Sequence, residues 1–357
     1  MKADKKGRIA MVLKNVRHGG TLTDIVTENG KIKSIGKTDL PGRDFGGLRI
    51  YPGLIDIHTH GCIGFDTMEG HITDMSEEQL RHGITTWYPT TMTMPYQDII
   101  KAASFDPASI GGAHVPGIHA EGPYINEKYK GAQNAEYIEL PDIEKFRMIP
   151  NVSMVTIAPE LEGSEEFIRN CSAVVSIGHT DADYDTAMRA FKAGAKCLTH
   201  TFNAMPPIHH RAPGVIGAAA DSGAYAQLIC DGIHVHPSAV RMLFSIFGSD
   251  RVILISDSMR ATGLSDGDYM FGGQKITVKG RYAMTQDGHL AGSCSNLFEC
   301  LRHAIEFGIP EDVAVRAATL NPARLMGLNK GEIAVGKDAD FIIVDDNFEL
   351  KEAIIAN

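Results

Sequence analysis

His58 and His60, one residue apart in the run LIDIHTHG, are the first residues in this chain that invite chemistry. Side chains two apart on a strand point to the same side, so both imidazoles enter one space, where ring nitrogens can grip a divalent cation. By the same count Asp56 shares that side and is expected to orient one ring as a hydrogen-bond acceptor. Three further residues fit the same chemistry: Glu121 in HAEGPY, His179 in IGHT and His200 in LTHTFNAM. A buried glutamate is rare unless it is paired or binds metal, whereas a lone histidine is more often simply hydrogen-bonded. Each residue is weak evidence alone; four histidines and a carboxylate that all close apolar runs argue together for a metal site. His119 points the same way as Glu121 and is a rival ligand. Asp257, in ILISDSM, has two readings. It is a further ligand and the general base, then general acid, for a metal-bound water, or it is a helix N-cap beside Ser256 and Ser258. Asn203 and Ala204 follow His200 closely enough to offer donors to substrate oxygens. Arg211 in PPIHHRAPG and His234 in DGIHVHP suit a phosphate or carboxylate, with plain surface solvation the other reading of Arg211.

The elements that must position these residues are visible as eight β-branched, apolar runs. They cover 54–61, 83–91, 115–123, 151–159, 173–180, 196–204, 225–235 and 251–258. Amphipathic stretches such as MSEEQLRHG, SEEFIRNC, DYDTAMRAFKAG and PSAVRMLFSIFG lie between them, which is the pattern of parallel strands with crossover helices. In each of the runs that carry His, Glu or Asp, the polar residue comes at the carboxyl end. That is the catalytic face of a barrel, whereas an open doubly wound sheet gathers its site around one switch point. No strand leads into GxGxxG or GxxxxGKS/T, so a nucleotide-binding reading lacks its phosphate loop. The expected fold class is therefore α/β, a (β/α)8 TIM-type barrel over residues 51–330. Strand-like segments at 8–50, with an Asn29–Gly30 turn, and at 331–357 predict a small β-sandwich domain formed by 1–50 plus 331–357. A β flap is expected near 270–290, with Asp287–Gly288 as its turn, followed by helices in SCSNLFECLRHAIEFG and PEDVAVRAATLNPARLMG.

Composition narrows the remaining classes. A chain of 357 residues, 43% hydrophobic and 22% charged, is that of an ordinary globular protein and suits either two domains or one barrel with an accessory piece. Its 34 basic against 44 acidic residues give a net charge of -10 with no basic cluster, so no nucleic-acid partner and no membrane are expected. The N-terminus has no signal-peptide core. The six cysteines, Cys62, Cys171, Cys197, Cys230, Cys294 and Cys300, form no CxxC pair and predict reduced thiols in a cytoplasmic protein. Cys62, beside a proposed ligand, reads either as oxidisable when metal is absent or as a small residue filling barrel space.

The motifs PGLIDIHTHG, HAEGPY, KGAQN, IGHT, THTFNAMPP, DGIHVHP, SDSM, LAGS and TLNPARLMGLNKGEIAVGKDADFIIVDD follow one another along nearly the whole chain. By them the chain resembles the amidohydrolase superfamily, and within it the deacetylases of phosphorylated amino sugars. The resemblance implies a barrel flanked by a β-sandwich built from both termini, in a homodimer. It also implies Glu121, His179 and His200 as ligands, Asp257 as the catalytic acid/base, and Arg211 and His234 at the sugar phosphate. Ala132, Gln133, Asn203, Ala204, Leu290, Ala291 and Gly292 would surround the substrate. Members without the HxH pair resemble mononuclear enzymes, so His58 and His60 suggest a second metal bridged by Glu121, giving two divalent ions per chain. Zinc or iron is expected, with manganese or cobalt as alternatives. Some members carry a histidine at the position of Gln133, which is expected to help polarise the acetyl carbonyl; glutamine can donate a hydrogen bond there but cannot become cationic. The implied reaction, in amino-sugar catabolism, converts N-acetylglucosamine 6-phosphate to glucosamine 6-phosphate and acetate. An N-acetylgalactosamine phosphate or a cyclic amide is the alternative substrate. A barrel that only binds metal or sugar phosphate is the reading from a different class, and Asp257 beside a full ligand set argues against it.

Overall fold

The computed structural model describes residues 2–3 and 9–355. Eight parallel strands carry the centre of the fold: β1 Leu54–Thr59, β2 Ile84–Thr91, β3 Ile118–Glu121, β4 Val152–Ile157, β5 Val174–Ile177, β6 Cys197–Leu198, β7 Tyr225–Ile229 and β8 Val252–Ile255. Each is hydrogen-bonded to its neighbour in sequence. The ring is completed just past the strand ends, where the Asp257 N–H donates to His58 O (2.9 Å) and the His60 N–H to Ser258 O (2.8 Å). Every residue of β1, β2 and β8 is buried, as expected for strands covered on both faces. One apolar cluster takes Ile55 and Ile57 from β1, Tyr88 from β2, Met154 from β4, Cys197 from β6, Ile229 from β7 and Ile253 and Ile255 from β8. Residues from strands so far apart can meet only inside a barrel. Another joins the strands to the surrounding helices through Trp87, Phe167, Leu243, Phe247 and Leu301.

Two of the helices start on a clear capping signal. Asp183 accepts from the Thr186 N–H at the start of Tyr184–Ala193, and Gly194 follows the end. Asn296 and Glu299 form a reciprocal capping box on Leu297–Glu306, an arrangement whose cap alone contributes about 1 kcal/mol. The second predicted C-terminal helix is two helices, Glu311–Ala318 and Leu320–Met326, broken at Thr319. Pro322 has no N–H and is tolerated only in a first turn, so a single helix cannot run through it. Between β3 and β4 the crossover is a long excursion of 3-10 turns with one short helix, Ile143–Phe146.

The two chain ends build a mixed sheet in the order Leu350–Ile355, Asp340–Val344, Arg49–Pro52, Ile9–His18, Thr21–Glu28 and Lys31–Ile35, with Lys2–Ala3 and Arg43–Asp44 beside Ile9–His18. It encloses its own core of Leu13, Val16, Ile25, Ile50, Phe341 and Ile343. Residue 1, residues 4–8 and residues 356–357 of the segments assigned to this unit lie outside the described residues. Asn29 and Gly30 both take positive φ (51° and 72°), the conformation a two-residue hairpin turn of this twist requires. A three-stranded antiparallel flap, Gly267–Phe271, Gln274–Lys279 and Tyr282–Thr285, begins slightly before its predicted start. Phe271, Ile276, Val278 and Ala283 seat it on Met92, Met259 and Ala291.

Candidate metal centre and active site

Three histidines have their protons placed by their surroundings. The Nδ1–H of His58 donates to Gln227 Oε1 (3.1 Å), that of His60 to Thr90 O (3.1 Å) and that of His179 to Tyr129 O (2.8 Å). These carbonyls only accept, so Nδ1 carries the proton and each Nε2 turns a lone pair inward. The inward atoms meet closely: His58 and His60 Nε2 are 3.2 Å apart, and His179 and His200 Nε2 are 3.0 Å apart. Glu121 lies between the pairs. Its Oε1 is 3.3 Å from His58, 3.2 Å from His179 and 3.1 Å from His200, while Oε2 is 3.2 Å from His60. Asp257 Oδ1 stands 3.4 Å from His60 Nε2 and 3.5 Å from His58 Nε2. Lone pairs facing one another at such distances repel unless positive charge sits between them. His58, His60 and Glu121, and Glu121, His179 and His200, thus form two buried donor groups sharing one carboxylate, a set suited to two divalent ions.

The electrostatics show the same demand for positive charge, which protons on the rings meet when no ion is bound. Burial works against charge on Glu121, yet the rings of His58, His179 and His200 outweigh it and hold the carboxyl well below the usual range. Burial likewise opposes charge on Asp257, but His58, His60 and His200 bring it down to about 2. His60 is pushed up to about 10 by the Asp257 and Glu121 carboxylates, against its own desolvation. The backbone adds strain: His179, His200 and Asp257 have φ of 48°, 26° and 47°, a region that costs a residue other than glycine about 1–3 kcal/mol. The chain therefore leaves β5, β6 and β8 through a sharp left-handed turn that aims each side chain into the mouth of the barrel.

His60, Glu121, His179, His200 and Asp257 floor a cavity of about 460 Å³ that also takes in Ala132, Gln133, Asn203, Ala204, His234, Leu290, Ala291 and Gly292. His234 is fixed by Asp231, whose Oδ2 lies 2.7 Å from its Nδ1 while Oδ1 accepts from the N–H groups of Ile233 and His234. Burial lowers its proton affinity, but Asp231 more than compensates, so this ring joins Lys128 and Lys130 among the groups of the wall able to carry positive charge. Arg211 is elsewhere: it is exposed, lies outside the cavity lining and donates to His210. His119 is not one of the converging donors. Its Nε2 meets Thr156 Oγ1 at 2.7 Å, and burial followed by repulsion from His58 pushes its proton affinity well down. Asp56 Oδ1 accepts from the backbone N–H groups of His58 (3.2 Å) and Ser256 (3.4 Å), whereas the acceptor on the His58 ring is Gln227, which the sequence reading missed. A polar residue in the middle of the buried strand YAQLI was the available signal. Also missed were the wall from Lys128 to Gly131 and Phe271, whose ring packs edge-on against His60 at 5.4 Å.

A parallel barrel with histidine and carboxylate metal donors at its strand ends defines a metal-dependent amidohydrolase, and the model of the amidohydrolase family matches residues 49–357. The N-acetylglucosamine-6-phosphate deacetylase of Bacillus subtilis is 43% identical over 84% of this chain and 82% of its own length, and that of Danio rerio is 34% identical over 97% and 94%. A mutant of the Mycobacterium smegmatis deacetylase, solved in complex with N-acetyl-D-glucosamine-6-phosphate, superposes with a TM-score of 0.89 at 30% identity, covering 98% of each chain. The Thermotoga maritima deacetylase gives 0.90 at 30% identity, covering 97% of this chain and 98% of that one. The chain belongs to the N-acetylglucosamine-6-phosphate deacetylase family.

Proposed function

We propose that this chain hydrolyses the acetamide of N-acetylglucosamine 6-phosphate, giving acetate and glucosamine 6-phosphate. The observation that carries the reading is the pair of donor groups sharing Glu121 beneath a cavity into which Asp257 also projects. His58, His60 and Glu121 would hold one divalent ion and Glu121, His179 and His200 another, with Asp257 beside them. Such ions supply Lewis acidity, which brings the pKa of water toward about 7 and offsets negative charge developing on the acetyl oxygen. Asp257, held ionised, accepts the proton released as water attacks the acetyl carbon. It then delivers that proton to the sugar nitrogen as the C–N bond breaks, so the product leaves as an amine. His234, whose proton affinity Asp231 raises, and the neighbouring groups of Asn203 and Ala204 would hold the phosphorylated sugar, with Ala132, Gln133 and Leu290 to Gly292 around it. Imidazole and carboxylate donors suit zinc and iron, and also manganese and cobalt. A homodimer acting in the cytoplasm completes the reading, with Arg211, which lies outside the single chain's cavity lining, brought to the sugar phosphate on binding, as does a division into a barrel over 51–330 and a β domain from 1–50 and 331–357. The test is acetate release from N-acetylglucosamine 6-phosphate, N-acetylgalactosamine 6-phosphate and unphosphorylated N-acetylglucosamine. Preference for the first supports the proposal, and equal release from all three contradicts it.

A further inference from the structure

Gln133 is gripped at both ends of its carboxamide. The backbone N–H of Thr93 lies 2.7 Å from Oε1, and since a backbone N–H only donates, that end must be the carbonyl. The amide nitrogen is therefore the end that faces Glu121, donating to Oε2 at 2.6 Å. Only 2% of Gln133 is exposed, so water does not compete for these bonds. The flap secures the backbone beneath: Gln274 Nε2 donates to the carbonyls of Ala132 (3.1 Å) and Gln133 (3.3 Å).

Glu121 needs such a partner. Its terminal torsion is broad and soft, yet its two oxygens have different duties, Oε1 toward His58, His179 and His200 and Oε2 toward His60. We propose that Gln133 is a positioning residue that holds the Glu121 carboxylate in the one orientation able to serve both donor groups, rather than a group acting on the acetyl carbonyl. The inference rests on the two-metal reading given above. A neutral donor suits the task, because it fixes the carboxylate without adding a cation that would repel the metal.

The test compares the full-length wild type with Gln133→Leu and Gln133→Asn, each stripped by chelation and titrated with Co2+. Visible absorption bands, metal per chain, kcat and KM for N-acetylglucosamine 6-phosphate are read together. In Gln133→Leu the second cobalt equivalent should bind about 10- to 100-fold more weakly, with altered bands and a lower kcat but little change in KM. Gln133→Asn falls one methylene short of Glu121 and should show the same loss, which keeps the test valid if the leucine variant does not fold. Two cobalt equivalents bound at wild-type affinity in both variants, with only KM or kcat impaired, would overturn the inference in favour of direct contact with substrate. A wild type that takes up no second cobalt overturns the two-metal reading itself, and the inference with it.

Discussion

Gln227→Leu tests whether the protein places the proton on His58. Both residues are wholly buried, so when the Gln227 carbonyl is removed no water replaces it as acceptor for the Nδ1–H, now 3.1 Å away. Leaving that N–H unpaired costs about 1–3 kcal/mol. The ring avoids the cost only by moving its proton to Nε2, which removes the lone pair turned toward the donor group. Metal binding must then restore the Nδ1–H tautomer with its N–H unpaired, so the penalty falls on affinity, and about 1–3 kcal/mol corresponds to about a 5- to 150-fold weaker affinity. Gln227→Glu keeps an acceptor at the same place and should recover most of the loss. The assay is competition for metal against a chelator of known affinity, with the thermal midpoint of the stripped proteins measured alongside. Unchanged affinity in Gln227→Leu would refute the idea that this carbonyl sets the His58 tautomer.

Two other variants probe separate parts of the molecule. Asp257→Asn should lower kcat by about 100- to 10,000-fold while metal per chain stays near normal, and retained turnover by acetate assay would reject Asp257 as the acid and base. Asp340 links the terminal sheet to the barrel: Lys330 donates to it and also reaches Thr86 Oγ1 at 3.1 Å. Burial opposes its charge, but His114 and Lys330 outweigh that and hold its folded-state pKa below the unfolded value. A depressed carboxyl contributes stability above the unfolded pKa and loses it as pH falls through the folded one, here below about pH 4. Wild type should therefore exceed Asp340→Asn in urea midpoint at about pH 6, with the gap narrowing below about pH 4; a gap constant with pH would contradict this.

The barrel was legible because its chemistry sits at strand ends. His58, Glu121, His179, His200 and Asp257 each close an apolar run, and no other common fold asks for that pattern so many times. Counting alternate residues failed where strands are irregular. The β1–β2 pairing slips twice, between Ile84 and Thr86 and between Trp87 and Pro89, so parity did not place Asp56 against a ring. The acceptors that set the tautomers were hidden for different reasons. Thr90 and Tyr129 act through backbone carbonyls, which carry no residue-type signal, and Gln227 is far from His58 in sequence, on β7. The Lys128 to Gly131 wall belongs to an excursion without a hydrophobic period, and periodicity says nothing of where such a segment lies. Arg211 is an exposed cation in a loop beside a motif, and residue type alone does not say which cavity such a side chain serves.

Whether this chain is a two-metal deacetylase is decided by acetate release from N-acetylglucosamine 6-phosphate, measured before and after chelation with metal per chain counted on the same sample. Release should stop on chelation, return on adding a divalent metal, and accompany about two ions per chain, since His58 with His60 and His179 with His200 form two donor groups around Glu121. Release undiminished after all metal is removed would contradict that reading.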